Sequence, residues 1–333
     1  MDRPAVRFSV IIPTYNNAGT LLRAVQSVQM QSFTAHEIIV IDDGSTDETL
    51  TLVSEFGNGV RFISQVNAGV SAARNKGAEF ATGEWLAFLD ADDEYEPDRL
   101  KWHAEWIAEE PDLEFLLGDQ LSCNPDGVPI STFLASSQAG RRLLEKFGSQ
   151  QRIPLVATDF ESLIADGFTE VRTISVPRTR FLALGGFPLG IKIGEDLHFF
   201  IRLFASSTKG GVVPAILAKY YIYPSSALRK DPLMAMRMFV DAIESLAPFI
   251  RNTPCAVRKG YHQKCRSNRL SLGYALLRKG HRFEAILRVL PVFLRHPSLQ
   301  TLRDLVSIAR GLRSTALAGG SASVPDGAPV QQK

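Results

Sequence analysis

A short apolar run that ends in three acids is the feature that most restricts what this chain can fold into. Residues 85–89 (Trp-Leu-Ala-Phe-Leu) are almost wholly apolar, which is typical of a strand buried on both faces of a parallel sheet. Asp90, Asp92 and Asp93 follow at once, and alternation along an extended segment would put Asp90 and Asp92 on the same side. Carboxylates this close repel one another unless a cation lies between them, and proteins hold Mg²⁺ or Mn²⁺ beside a phosphate with one or two carboxylates. The alternative is a solvated acidic turn before a helix that begins near Pro97.

Further short apolar runs alternate with helical patterns before this stretch. Residues 8–12, 37–41 and 60–64 are predicted strands, and helical spacing is found at 21–28 and 68–80. Strands that alternate with helices at this spacing predict a parallel sheet with right-handed crossovers, an α/β architecture of the nucleotide-binding type.

Polar residues close the first, second and fourth predicted strands, at the sheet edge where open α/β proteins bind ligands. Neither Gly-x-Gly-x-x-Gly nor a Walker sequence follows the first strand, so dinucleotide and P-loop sites lose their main support. We therefore expect a nucleotide whose diphosphate is neutralised mainly by a metal. Ser45 or Thr46 is the expected cap of the helix after the second strand.

Four motifs, in order, resemble those of family 2 glycosyltransferases with the GT-A fold. They are Ser-Val-Ile-Ile-Pro-Thr-Tyr-Asn at 9–16, Val-Ile-Asp-Asp-Gly-Ser-Thr-Asp at 40–47, Asn-Ala-Gly-Val-Ser-Ala-Ala-Arg-Asn at 67–75 and Leu-Asp-Ala-Asp-Asp at 89–93. The resemblance continues at Gly185-Gly186-Phe187 and at Gly194-Glu195-Asp196, and covers roughly residues 7–225. It implies a Rossmann-like, mostly parallel central sheet flanked by helices in domain 1–228, with a donor half at 7–112 and an acceptor half at 113–228.

The resemblance also implies which residues bind the donor. Pro13, Tyr15 and Asp42 would line the nucleoside pocket, where the ring of Tyr15 faces the base and Asp42 accepts from a base N–H. Arg74 would lie near the diphosphate, to which a guanidinium is suited. The alternatives are a turn proline, a half-buried tyrosine, a helix cap and, for Arg74, a surface charge. Asp43 and Ala91 belong to the same motifs and are counted with the donor-binding residues.

The acidic motifs would supply the metal ligands and the catalytic base. Asp90 and Asp92 are the expected metal-and-sugar pair for Mn²⁺ or Mg²⁺, with Asp92 the more direct ligand; Asp93 would assist or orient its neighbours. Asp196 matches the family's base position, with Glu195 beside it, and transfer with inversion needs a carboxylate that deprotonates the acceptor hydroxyl. An acidic pair favoured by a helix N-terminus is the alternative, and both interpretations can hold together.

One segment departs from the family pattern. Many relatives carry Arg and His in a short segment after the base helix, whereas Tyr221 and Tyr223 stand at those positions here. Metal binding could be weaker, water and the diphosphate could complete the coordination, or activity could be lost. His198 is expected to be a helix residue that faces solvent or core.

The C-terminal part is helical by pattern and strongly basic. Residues 251–313 contain 14 Lys or Arg and two acids, which leaves the rest of the chain net acidic. Residues 229–313 are therefore predicted as a basic helical region, and 314–333 as a disordered tail. Segments 234–250, 270–277, 283–294 and 299–312 have helical periodicity, and Pro254, Pro291 and Pro297 are expected to bend or break helices. Such helices suit the anionic face of a membrane, and a helical appendage packed on the catalytic domain is the alternative.

Cysteine usage and hydropathy indicate the compartment. Cys123, Cys255 and Cys265 are odd in number and lack Cys-x-x-Cys spacing, so neither a disulfide framework nor a zinc site is expected. The first seven residues lack the apolar core of a signal peptide, and no long apolar run follows. We expect a cytoplasmic protein, with peripheral attachment to the inner face of the membrane as a second expectation.

The function that the resemblance implies is that of an inverting, metal-dependent glycosyltransferase. It would move a sugar from a nucleotide donor, with UDP the expected nucleotide, to a saccharide or lipid-linked saccharide in cell-surface polysaccharide synthesis. No nucleic acid partner is expected. Five arginines of the middle region are either contacts for an anionic acceptor or scattered surface charges: Arg141, Arg142, Arg172, Arg178 and Arg180.

Two other functions remain open at this point. A non-catalytic nucleotide-sugar-binding or scaffold protein is suggested by Tyr223 at the position of the usual His. A sugar nucleotidyltransferase also combines an α/β sheet with acidic metal ligands, but it would be expected to carry a basic, glycine-rich phosphate loop after its first strand. Residues 13–16 (Pro-Thr-Tyr-Asn) are not such a loop.

Overall fold

The computed structural model describes residues 6–57, 59–168, 170–224, 227–295, 297 and 299–310. Its first half is a block of four parallel strands in the order β3-β2-β1-β4. These strands are β1 (Phe8–Thr14), β2 (Glu37–Asp42), β3 (Val60–Ser64) and β4 (Trp85–Phe88). The apolar runs thus form the predicted strands, and their carboxyl ends share one edge of the sheet.

The connections of this block are helical, with one correction to the prediction. Helices α1 (Leu21–Gln29) and α2 (Val70–Phe80) follow β1 and β3, but the segment Glu48–Glu55 after β2 is a 3₁₀ helix. Its cap is Asp47, whose carboxylate accepts from the backbone N–H of Thr49, rather than Ser45 or Thr46. Ser45 and Thr46 instead hydrogen-bond to Asn16 in the loop after β1, so neither is free to cap.

The second half adds antiparallel strands to the sheet. Its strands are β5 (Glu94–Tyr95), β6 (Leu116–Cys123), β7 (Pro129–Thr132), β8 (Ile153–Val156), β9 (Ser175–Pro177) and β10 (Lys209–Tyr221). Strand β6 runs parallel to β10, and β9 lies antiparallel between β4 and β6. Strands β5 and β8 pair with β10, and β7 pairs with β6. One mixed sheet therefore joins the two halves through β9.

Helices cover this sheet and hold the segment that carries the predicted base. They are α3 (Arg99–Glu109), α4 (Phe133–Ser136), α5 (Gln138–Phe147), α6 (Phe160–Asp166), α7 (Arg178–Ala183) and α8 (Glu195–Ser206). The rings of Phe88, Phe181, Phe187 and Phe199 pack with centroids 4.8–5.5 Å apart. Because Phe88 lies in β4 and Phe199 in α8, this aromatic cluster sets the position of α8 relative to the acids that follow β4.

The C-terminal region is helical and packs on the sheet domain. It comprises α9 (Ala227–Lys230), α10 (Pro232–Glu244), α11 (Ala247–Ile250), α12 (Cys255–Arg278), α13 (Arg282–Arg295) and α14 (Leu299–Arg310). Helix α12 lies against α6 and α8. The approach is so close that a Cβ on Gly260 would lie 2.5 Å from the carbonyl oxygen of Glu161.

Helix boundaries in this region differ from the prediction in two places. Helix α12 begins directly after Pro254 and is 24 residues long, because tertiary packing sustains it beyond the periodic segment 270–277. Pro291 lies inside α13 and does not end it. Residues 311–312 of the last predicted helix and the tail 314–333 lie outside the described residues. Within the described ranges, no helix is long and apolar enough to cross a membrane.

Candidate active site

The loops after β1 and β2 are joined by hydrogen bonds at the carboxyl edge of the sheet. The backbone N–H of Asn16 donates to Oγ of Ser45 (2.9 Å), and Oδ1 of Asn16 accepts from the backbone N–H of Thr46 (2.8 Å). Asn16 has a φ of 53°, in the left-handed region that asparagine tolerates. Tyr15, next to this residue, has about half of its surface exposed. The connection therefore holds an accessible aromatic ring at the predicted nucleoside position.

The other predicted nucleoside residues differ in what their side chains do. Pro13 is buried within β1. Asp42 is buried at the end of β2, where Oδ1 accepts from the backbone N–H of Ser45 at 3.1 Å. Asp43 is buried, and its carboxylate accepts from the Gln65 side chain and from two backbone N–H groups of the loop before α2. It positions that loop and helix.

The acids after β4 form a turn rather than an extended segment. Strand β4 ends at Phe88, and the backbone N–H of Asp93 donates to the carbonyl oxygen of Asp90 (3.0 Å). Because the segment is not extended, alternation does not align Asp90 with Asp92 as predicted. Ala91 lies in the turn with its side chain buried in the core, so its methyl group is not a donor-binding surface.

A guanidinium group, that of Arg172, lies among the carboxylates of this turn. Nε of Arg172 is 2.6 Å from Oδ2 of Asp93, and Nη1 is 2.6 Å from Oε2 of Glu170. Its Nη2 is 3.4 Å from Oδ2 of Asp90, and its Nη1 donates to the side chain of Gln120 at 2.9 Å. Arg172 is thus neither a scattered surface charge nor a contact held out toward an acceptor. Its positive charge offsets part of the repulsion among these carboxylates, for which the sequence analysis expected a metal cation.

A second guanidinium group connects β4 with α8. Arg74 is buried; its Nη2 lies 2.5 Å from Oδ1 of Asp90, and its Nη1 lies 3.2 Å from Oε1 of Glu195. Its guanidinium also lies over the ring of Phe187, 5.1 Å from the centroid. The surface-charge interpretation of Arg74 is wrong. To contact a diphosphate as predicted, the guanidinium of Arg74 would have to bind the phosphate oxygens while it also contacts Asp90 and Glu195.

Six carboxylates and two guanidinium groups interact in this region, which we call the acidic site. They are Asp90, Asp92, Asp93, Glu170, Glu195 and Asp196, with Arg74 and Arg172. Burial raises the pKa of Glu170 to about 7, and burial together with the charge of Asp196 raises the pKa of Glu195 to about 7. The excess of acids over bases means that an additional cation would be stabilised here.

The residues of the acidic site fit a divalent cation only in part. Both oxygens of Asp90 contact guanidinium groups, so in this arrangement Asp90 does not fit as a metal ligand. Asp92 makes no ion pair with a described residue, and burial followed by the charge of Asp90 raises its pKa. No three His, Cys, Asp or Glu side chains of the described chain form a metal-binding group. Asp92 is therefore the carboxylate of the acidic site that would fit Mn²⁺ or Mg²⁺, as a single ligand beside substrate phosphates.

The first turn of α8 contributes Glu195 and Asp196 to the acidic site. Asp196 accepts the backbone N–H of Leu197 through Oδ1 (2.6 Å), and burial raises the pKa of its carboxyl. Glu195 is held by Arg74. His198, one turn further on, is half-buried, and burial lowers its pKa to about 4. Of the two acids, Asp196 is the one that makes no ion pair with a described residue.

The two tyrosines at the divergent positions hold neighbouring groups. The backbone N–H of Tyr221 donates to Oδ1 of Asp93 (3.0 Å), and its hydroxyl donates to Glu94 (3.0 Å). The guanidinium of Arg23 lies over the ring of Tyr221 at 4.1 Å, and it donates to the hydroxyl of Tyr223 (3.4 Å) and to the carbonyl oxygen of Asp92 (2.9 Å). These residues therefore brace the backbone on which Asp92 and Asp93 lie.

The comparisons with known proteins agree with this architecture. Residues 9–135 match the family model for glycosyl transferase family 2. The chain carries a family 2 glycosyltransferase domain. It is 42% identical over 123 residues to YibD of Escherichia coli (strain K12), an uncharacterized glycosyltransferase, an alignment that covers 36% of this chain and 34% of that protein. The chain spans between about a third and a half of the length of the curated relatives that it matches.

Solved structures show the same GT-A fold as this chain. Staphylococcus aureus TarS 1–349 in complex with UDP-GlcNAc has a TM-score of 0.62 and 21% identity, over 91% of this chain and 79% of that chain. The mannosyltransferase PcManGT from Pyrobaculum calidifontis, in complex with GDP-Man and Mn²⁺, has a TM-score of 0.59 and 19% identity over the same shares. The prediction of an α/β GT-A fold with C-terminal helices is thereby confirmed.

Several residues of the candidate site were missed in the prediction from sequence. Gln120 and Glu170 come from the second half of the sheet domain, and Arg23 and Glu94 border the acids after β4. Arg172 was named, but with another role. None of these residues belongs to a motif or to a regular spacing, so no signal in a single sequence could have distinguished them from surface polar residues.

Proposed function

We propose that this protein is a glycosyltransferase that uses a nucleotide-sugar donor and inverts the configuration of the transferred sugar. The observation that carries the proposal is the convergence of three features at the carboxyl edge of the parallel strands. These are the paired loops with Tyr15 and Asp42, the free carboxylate of Asp92, and the N-terminus of α8 with Asp196. Ligands of open α/β sheets bind at this edge.

Asp196 is proposed as the catalytic base. One of its oxygens accepts the N–H of Leu197, which orients the carboxylate, and the other can accept from an acceptor hydroxyl. The base takes the proton of that hydroxyl as its oxygen bonds to the anomeric carbon, while the bond between this carbon and the donor's phosphate oxygen breaks. Attack from the side opposite the leaving group inverts the configuration. A pKa raised by burial makes Asp196 a stronger base than an exposed aspartate.

The donor side of the reaction is assigned to residues of the first half. Tyr15 would stack on the base, and Asp42 would accept from a base N–H. Mn²⁺ or Mg²⁺ bound through Asp92 would offset the charge on the departing nucleoside diphosphate. Arg74 and Arg172 hold the carboxylate of Asp90 and would thereby fix the turn that carries Asp92.

The nucleotide and the acceptor are proposed as classes. UDP is the first nucleotide to consider, supported by the UDP-GlcNAc complex of TarS, and the GDP-Man complex of PcManGT makes GDP the second. The proposed acceptor is a saccharide or lipid-linked saccharide of the cell surface, and the proposed compartment is the cytoplasm. The three cysteines are odd in number and lack Cys-x-x-Cys spacing, which suits a reducing compartment.

One alternative function has an observation in its favour. Because guanidinium groups contact both oxygens of Asp90, and tyrosines stand where relatives carry Arg and His, the site could bind a nucleotide sugar without turning it over. A sugar nucleotidyltransferase has no such support, because the family model matches the donor-binding half.

The deciding experiment measures transfer or donor hydrolysis with UDP-sugars and then GDP-sugars, in Mn²⁺, with UDP binding measured in parallel by calorimetry. Asp196→Asn should reduce turnover by about 10² to 10⁴ and leave UDP affinity nearly unchanged, because a general base acts on the acceptor. Asp231→Asn is the matched control, since Asp231 is an aspartate that caps another helix, α10. UDP binding without turnover of any donor by the wild type would favour the binding protein and refute the proposal.

A further inference from the structure

Helix α13 carries an exposed apolar stripe. Phe283, Leu287 and Leu294 have 77%, 52% and 66% of their surface exposed, and with the half-buried Leu290 they are spaced at i, i+4, i+7 and i+11. This spacing puts them on one face of a helix. Ala285, Val289 and Val292 lie on the opposite face and are buried in the C-terminal helical region. The helix is thus apolar on two sides, and packing within the chain accounts for only one of them.

Helix α14, which contacts α13, has exposed leucines of its own. Leu299 and Leu302 are exposed at spacing i, i+3. We call the following set the outer face: Phe283, Leu287, Leu290, Leu294, Leu299 and Leu302. Large apolar side chains exposed on neighbouring helices are typical of a contact with a partner or a membrane.

Exposed basic side chains accompany the apolar residues of α13 and α14. Five exposed Lys or Arg residues, at the end of α12 or on α13 and α14, make no ion pair with any described residue: Arg278, Lys279, Arg282, Arg303 and Arg310. The acids of α13 and α14 do not offset them. Glu284 is held by Arg237 through two contacts of 2.7 and 2.9 Å, and Asp304 faces the hydroxyl of Tyr274.

We propose that the outer face docks the protein on an anionic lipid bilayer. A helix with bulky apolar residues on one side and Arg or Lys beside them lies in the interface of a membrane, where the apolar groups enter the lipid and the cations meet anionic headgroups. A second copy of the chain fits less well. A two-fold contact through this face would bring the same unpaired cations of both copies together.

The proposal concerns a surface outside the acidic site, so it stands or falls independently of the transfer reaction. Each cation close to an anionic membrane surface strengthens binding about fivefold at moderate ionic strength. Burial of one leucine side chain strengthens it about tenfold or more. Binding should therefore fall with added salt and with the loss of either kind of side chain.

The experiment is co-sedimentation of the full chain with vesicles of phosphatidylcholine alone and of phosphatidylcholine with phosphatidylglycerol. The wild type should bind the anionic vesicles, at least tenfold more strongly than the neutral ones. Leu287→Asp should lose at least tenfold in affinity. Ile130→Asp, at a leucine-sized residue of β7 that is 56% exposed, should bind like the wild type.

A second variant keeps the test decisive if Leu287→Asp folds poorly by circular dichroism. Arg303→Gln combined with Arg310→Gln should weaken binding to anionic vesicles about 25-fold and leave binding to neutral vesicles unchanged. No binding of the wild type to anionic vesicles would overturn the proposal. So would a dimer in light scattering that Leu287→Asp dissociates, because the outer face would then be an interface between copies.

Discussion

Replacing Arg172 by Met removes the guanidinium group that pairs with three carboxylates of the acidic site. The side chain of Arg172 is 12% exposed, and its guanidinium contacts the carboxylates of Asp90, Asp93 and Glu170. Methionine keeps much of the side-chain volume but neither the charge nor the hydrogen bonds. The substitution therefore tests whether the arginine neutralises these acids.

The size of the effect follows from burial. Removing one partner of a buried ion pair costs about 3–5 kcal/mol of stability, because the other charge stays buried without compensation. The loss should also depend on pH through Glu170, whose pKa burial already raises to about 7. An acid with a raised folded pKa contributes its full stability below the unfolded value of about 4.5 and loses it as the pH rises through 7. Without Arg172 the pKa of Glu170 should rise further, and each additional pKa unit should lower the free energy of unfolding at pH 8 by about 1 kcal/mol.

The assay is urea unfolding of the wild type and of Arg172→Met, followed by circular dichroism at pH 8 and at pH 5.5. The expected loss is about 3–5 kcal/mol at pH 8, and it should be smaller at pH 5.5, where Glu170 is protonated in the folded state. Arg152→Met is the matched control. Its ion pair with Glu109 lies at the surface, so the unfolding midpoint should change little at either pH.

Two results would refute this reasoning. A variant as stable as the wild type at pH 8 would mean that Arg172 does not compensate buried charge. An equal loss at both pH values would mean that the titration of Glu170 does not contribute, because the ion pair with Asp90 and the contact of the guanidinium with the ring of Tyr220 at 4.3 Å are lost at either pH.

Two further predictions concern packing and acid stability. Gly260→Ala should destabilise the protein by about 1–3 kcal/mol, because the new Cβ would meet the carbonyl oxygen of Glu161 between α12 and α6. Gly19→Ala, with no atom within 4 Å of its Cβ, is the control and should change the thermal midpoint little. Equal midpoints for the two variants would contradict the close crossing of the helices. His198, whose pKa burial lowers to about 4, contributes stability that is present above about pH 6.5 and is lost as the pH falls through 4. His198→Gln should therefore reduce the fall in thermal midpoint between pH 6.5 and pH 4.5, and an unchanged fall would exclude the histidine as its cause.

The sequence alone determined the parallel half of the sheet and the edge at which open α/β sheets bind ligands. Buried strands must be continuously apolar, so β1, β2 and β4 could be found without partners. Parallel strands end at the same edge, so Asp42 and Asp90 could be expected together. The motifs around them then indicated the family, and the family model matches this part of the chain.

Only the tertiary structure decided what the acids do at that edge. Arg172 lies 82 residues after Asp90 in the chain, and its contact with Asp90 depends on β9 pairing with β4 and β6. Asp43 likewise proved to hold the loop before α2, which no local pattern indicates. Periodicity and turn chemistry depend on neighbours along the chain, and a single sequence therefore reveals them. The charge balance of a buried site depends on groups that long-range packing brings together, and that balance exists only in the folded structure.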